Sequence, residues 1–123
     1  MHKLWLALGA INALVSVAAG AFGAHGLRQR LGPDLLAIFE TGARYQMYHA
    51  LGLLALGLLV RHGRTGLSTA TGWTMFAGIV IFSGSLYLLA LTGVRGFGAI
   101  TPIGGLAFLI AWALFAAVAI RGH

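Results

Sequence analysis

Hydrophobic and polar positions along this chain come in blocks. Leu4–Ala24, Trp73–Thr92 and Pro102–Ile120 are apolar runs without a charged residue, and Leu35–Val60 is apolar mainly in its later part. A helix needs about 20 mostly apolar residues to cross the roughly 30 Å hydrocarbon core of a bilayer. Strand-type alternation is absent, and the runs are rich in Leu and Ala. Only helices and closed barrels satisfy their own backbone groups in lipid. The pattern predicts an all-α fold: a single transmembrane domain over residues 1–123, with helices near 4–24, 35–60, 73–92 and 102–120. Short connections favour an integral membrane antiparallel four-helix bundle.

The breaks carry turn chemistry. Gly32-Pro33-Asp34 suits a helix start, with Pro in the first turn and an acid near the positive end of the helix dipole. Arg61–Gly66 and Gly93–Gly98 read as polar, glycine-containing loops. Thr101 before Pro102 reads as an N-cap. Trp5 and Trp73 lie near helix ends, and with Trp112 they suit interfacial or bundle positions. Met1-His2-Lys3, an apolar stretch and Ala19-Gly20-Ala21 together resemble a secretory signal. The run exceeds the usual signal core of about 7–15 residues. It also holds Asn12 and Ser16, which suit helix contacts, so a retained helix is expected.

Composition agrees with lipid as the solvent. Hydrophobic residues make up 59% and charged ones 8%, against about 45–50% and about 25% in soluble domains. A water-soluble enzyme, a disordered tail and a fibre are excluded. Lys and Arg number 8 against 2 acids, a net charge of +6. These cations are scattered between and beside the apolar runs, so they are expected to meet lipid headgroups, not nucleic acid. Membrane lipids are the first expected partners. With no cysteine, neither a disulfide nor a zinc-thiolate site can form.

Membrane helices associate through close packing of small residues and through polar pairs. The first helix offers Gly9, Ala13, Ser16, Gly20 and Ala24; the third offers Thr71, Gly78, Ser85 and Thr92; the fourth offers Gly104, Gly105, Ala107 and Ala111.

The second helix is the informative one. On a helical wheel Glu40, Thr41, Arg44, Tyr45, Tyr48, His49 and Gly52 share one half, and Leu36, Phe39, Ala43, Met47, Ala50 and Leu54 the other. The apolar half is expected to face lipid. Glu40 and Arg44 have the spacing and order of a favourable ion pair, and pairing would lower the cost of charge in lipid, about 2.5 kcal/mol or more for each group near the middle. An up-and-down topology gathers polar residues in one half of the bundle. His25, Glu40, Thr41, Arg44, Tyr45, Gln46, His49, Ser83, Ser85, Tyr87 and Thr101 form that candidate polar pocket. Such residues either glue helices together or hold a ligand or headgroup. His25, His49 and Glu40 are metal-ligand types, but neither HxxxH nor HExxH spacing occurs, so no metal is expected. No cofactor motif and no nucleophile–base set is present, and the chain is not expected to be an enzyme.

Orientation rests on the basic residues. With four spans, Lys3, Arg61, Arg64 and Arg121 share the side of the termini, and Arg28, Arg30, Arg44 and Arg95 the other. If Arg44 is buried against Glu40, the termini side leads, and both termini are expected in the cytoplasm.

Four strings carry a resemblance: Gly20-Ala21-Phe22-Gly23-Ala24-His25-Gly26-Leu27, Thr41-Gly42-Ala43-Arg44-Tyr45-Gln46-Met47-Tyr48-His49-Ala50, Phe82-Ser83-Gly84-Ser85-Leu86-Tyr87 and Ile100-Thr101-Pro102-Ile103-Gly104-Gly105. They resemble the small bacterial membrane proteins of domain-of-unknown-function family 423 (YgdD-like), related to a small transmembrane family in eukaryotes. Gly42 stands where such relatives often show Ala. The resemblance implies a multi-pass protein of about four helices in a bacterial plasma membrane, and carries over no catalytic residue. The expected function is a binding or interaction module engaging a headgroup, a small polar ligand, a partner membrane protein or a second copy. The alternative is a subunit of an oligomeric small-solute or ion transporter or channel.

Overall fold

The computed structural model describes residues 2–61 and 66–121. Of the expected Arg61–Gly66 loop, residues 62–65 lie outside the described residues, as do Met1 and His123. The apolar runs become α1 (His2–Phe22), α2 (Pro33–Leu59), α3 (Gly66–Gly78), α4 (Gly84–Thr92) and α5 (Thr101–Arg121). A π-turn at Gly23–Leu27 extends α1, and a second, Ile79–Ser83, joins α3 to α4. α3 and α4 are thus one rod of 27 residues, and the described bundle has four rods.

Three rods, His2–Leu27, Gly66–Thr92 and Arg95–Arg121, are long and apolar enough to cross a membrane. α2 has the length, 27 residues, but its first half is polar. Its position compensates: α1 covers one flank, and the α3–α4 rod covers the other.

Pro33 opens α2 after Gly32, as its missing N–H allows. α4 stops at Gly93, whose φ of 73° is left-handed and whose N–H donates to the Leu89 carbonyl at 2.7 Å. The third rod begins at Gly66, earlier than the hydropathy implies, because Ser68 and Thr71 are fully buried within the bundle. Thr101 is not the cap expected of it. A 3₁₀ turn at Arg95–Ala99 feeds α5, and the Thr101 hydroxyl lies 2.6 Å from that of Ser85 instead.

Consecutive rods run antiparallel, and small residues mark close approaches both between consecutive rods and between the first and the third. A Cβ on Gly9 would lie 2.8 Å from the Ala50 carbonyl, one on Gly72 2.4 Å from Trp5, and one on Gly104 2.4 Å from the Phe82 backbone nitrogen. Gly20, by contrast, has open space, so only part of the α1 stripe is used. The main core joins Trp5, Leu53, Leu56, Met75, Ile79 and Phe108; a smaller cluster of Leu27, Phe39 and Ala90 closes the other end.

The wheel reading of α2 is corrected here. Phe39, Ala43 and Ala50, expected toward lipid, are buried, and Arg44 and Tyr48, expected inside, are exposed. In lipid an apolar side chain is as well solvated outside as in, so hydropathy alone does not choose the buried face. The small residues Gly42, Ala43 and Ala50 allow the close approach, and they turn inward.

Candidate functional site

The expected polar residues separate into three groups. The first is a hydrogen-bonded chain across three rods. The Tyr87 hydroxyl donates to Gln46 Oε1 at 2.7 Å, Gln46 Nε2 to Asn12 Oδ1 at 3.0 Å, and Asn12 Nδ2 to the Leu8 carbonyl at 2.8 Å. The terminal carbonyl only accepts, which orients both amides. Ser16 donates to the Ala43 carbonyl and Ser83 to the Gly42 carbonyl, both at 2.7 Å. With the Ser85–Thr101 contact, these bonds join each rod to the next along the chain. Asn12 and Ser16, expected to make helix contacts, belong to this set.

The second group lies outside. His25 and Arg44 are exposed, Glu40 is half-buried, and Thr41 turns back to the Ala37 carbonyl at 2.9 Å. The expected Glu40–Arg44 ion pair is not made. Among the described residues the ion pair is Arg95–Asp34, 2.8 Å long with side chains 66% and 64% exposed. It ties the start of α2 to the turn before α5. Its hydrogen bond from Arg95 holds the Asp34 carboxyl below its ordinary range.

The third group lines a cavity. Tyr45, Tyr48 and His49 of α2 face Phe82 of the π segment and Gly105, Phe108, Leu109 and Trp112 of α5 across a groove of about 420 Å³ that opens at the bundle surface, where Tyr48 and Leu109 are exposed. Local sequence explains its shape. Tyr45 and His49, like Phe108 and Trp112, stand one helical turn apart and so share a face. A Cβ on Gly52 would meet Trp112 at 3.1 Å, so glycine there lets the indole close one end. The π segment carries Phe82 against Gly104 and Gly105. π-bulges within helices occur frequently at functional sites.

His49 sits at the groove floor and is 4% exposed. Its ring stacks on Phe108, with centroids 3.4 Å apart and planes 6° from parallel. Its Nδ1 lies 2.6 Å from the Tyr45 carbonyl. The sequence points to Tyr45 and His49 but not to the facing wall of Phe82, Phe108, Leu109 and Trp112. The i,i+4 aromatic pairs were the available signal. Among the described residues no three His, Asp or Glu side chains gather as a metal site.

Residues 19–105 match the family described as protein of unknown function (DUF423). The chain is 49% identical over 120 residues to UPF0382 membrane protein YwdK of Bacillus subtilis, covering 97% of this chain and 98% of that one. It is 52% identical over 111 residues to UPF0382 membrane protein SSP2132 of Staphylococcus saprophyticus, covering 89% and 91%. A UPF0382 membrane protein of Staphylococcus epidermidis is 54% identical over 111 residues, covering 89% of each. No solved structure matches the chain.

Proposed function

The chain belongs to the DUF423 family of membrane proteins, and from that premise we propose that it is a binding module, not an enzyme, of the bacterial plasma membrane. Its groove between α2, the π segment and α5 takes up an apolar molecule from the bilayer. The observation that carries this reading is the aromatic groove with His49, a nearly buried polar side chain, at its floor. Ligand sites combine an apolar lining with a few placed polar groups. Nothing in the bundle favours the transporter alternative, since the interior polar chain is spent on bonds between rods.

Both termini face the cytoplasm in this reading. Arg44 lies about 16 Å along α2 from Pro33, so it is not a loop charge whether or not it pairs. Lys3, Arg61, Arg64 and Arg121 then outnumber Arg28, Arg30 and Arg95. A reporter after His123 that works only outside the cytoplasm would reverse this.

The groove is tested by photocrosslinking in cell membranes. A benzophenone amino acid replaces Leu109, 71% exposed on the groove wall, or Val17, 62% exposed on α1. A discrete small-molecule adduct at position 109 alone supports the reading. Identical lipid adducts at both positions refute it.

A further inference from the structure

The groove floor carries a hydrogen-bonding atom with no partner. A carbonyl can only accept, so the 2.6 Å contact with Tyr45 places the His49 proton on Nδ1. The neutral ring then holds its lone pair at Nε2. Phe108 covers one face of the ring, and Tyr45 stacks at 6.3 Å and 19°. The edge remains. No side-chain nitrogen or oxygen among the described residues is both sealed and unpartnered, and no bond to Nε2 is made. Nε2 therefore opens onto the groove that His49 lines. Hydrocarbon offers it no donor.

Resting on the groove reading above, we propose that the ligand is a lipid-soluble aromatic alcohol, of the phenol or hydroquinone class, whose O–H donates to His49 Nε2. The chemistry of the walls selects the rest of the molecule. Tyr45, Phe82, Phe108 and Trp112 present ring faces and edges, which prefer a flat aromatic partner. A cavity of about 150 Å³ holds benzene, so about 420 Å³ accommodates a fused or substituted ring. The opening at the bundle surface leaves an alkyl or isoprenoid tail in the bilayer. A carboxylate or phosphate would set its own lone pairs against that of Nε2 and is disfavoured at the floor.

The test uses the full chain in lipid nanodiscs of phosphatidylethanolamine and phosphatidylglycerol, with 6-decyl-2-naphthol and its methyl ether as probes. Binding is read by energy transfer from the protein's tryptophans to the naphthyl group. The naphthol is expected to saturate, and the ether, which cannot donate, to bind about five- to tenfold more weakly, the range of one net hydrogen bond. His49→Phe keeps the ring stack and is expected to remove the difference between the probes; His49→Gln, which restores an acceptor near Nε2, is expected to recover part of it. Equal affinity of the wild-type protein for both probes overturns the hydroxyl contact and leaves the groove standing. Failure of both probes to saturate overturns the groove and this inference together. The comparison of probes on the unmutated chain does not depend on whether the variants fold.

Discussion

Replacing Gln46 by Met tests whether the buried polar chain holds the rods in register. Gln46 is 6% exposed and makes two interhelical bonds, accepting from Tyr87 and donating to Asn12. Met has a similar shape but can make neither. Interhelical hydrogen bonds in membrane proteins average about 0.6 kcal/mol and reach about 1.7 kcal/mol. Losing both, and leaving the Tyr87 hydroxyl and Asn12 Oδ1 unpaired, should cost about 2 kcal/mol, with about 3 kcal/mol as the ceiling. Tyr87→Phe loses one bond and should cost about 1 kcal/mol. The decisive quantity is the coupling. In the Gln46→Met background the Tyr87 hydroxyl has nothing left to bond, so Tyr87→Phe should then cost close to nothing. Reversible unfolding in mixed micelles with increasing denaturing detergent gives all four stabilities. If the two substitutions add within about 0.3–0.5 kcal/mol, as independent sites do, the chain does not act as a unit and the reasoning fails.

Three further outcomes follow from the packing and the rim. Gly104→Ala places a methyl 2.4 Å from the Phe82 backbone and should destabilise by about 1–3 kcal/mol in the same assay. Gly84→Ala, with open space around its Cβ, should be neutral or stabilise by up to about 1 kcal/mol through helix propensity; a larger loss at Gly84 than at Gly104 contradicts the packing. Because Arg95 lowers the Asp34 pKa, the contribution of that pair is present above the ordinary carboxylate value of 3.8 and is lost as pH falls through the lower folded value. Asp34→Asn should therefore flatten the acid limb of the stability profile and lower stability slightly near neutral pH, where the wild-type pair is fully formed. Being exposed, the pair should also fade in about 1 M salt; an acid limb unchanged by Asp34→Asn removes the pair from the account.

Much of the architecture is legible in the sequence. Four apolar runs became four rods, Pro33 opened α2, and Thr71, Gly78 and Ser85 lie buried along the third rod, where Gly78 packs on Phe108 and Ser85 meets Thr101 of α5. The polar residues were legible as a set but not in their partners. Gln46 found Asn12, a residue 34 positions away, while Glu40 and Arg44, one turn apart, did not pair. The groove was less legible still, since its far wall comes from α5 and from a π segment that no sequence signal announced.

Sequence alone determined the solvent and the number of rods, because the length of an uncharged run measures whether a helix can cross hydrocarbon. Tertiary structure decided which face of each rod is inside. In water an apolar stripe must turn inward, and a helical wheel identifies it. In lipid Leu51 at 53% exposure and Leu53 at 0% are both well placed. The choice passes to contacts a wheel cannot show: a glycine against a carbonyl, a serine on a neighbouring backbone, an imidazole laid flat on a phenyl ring.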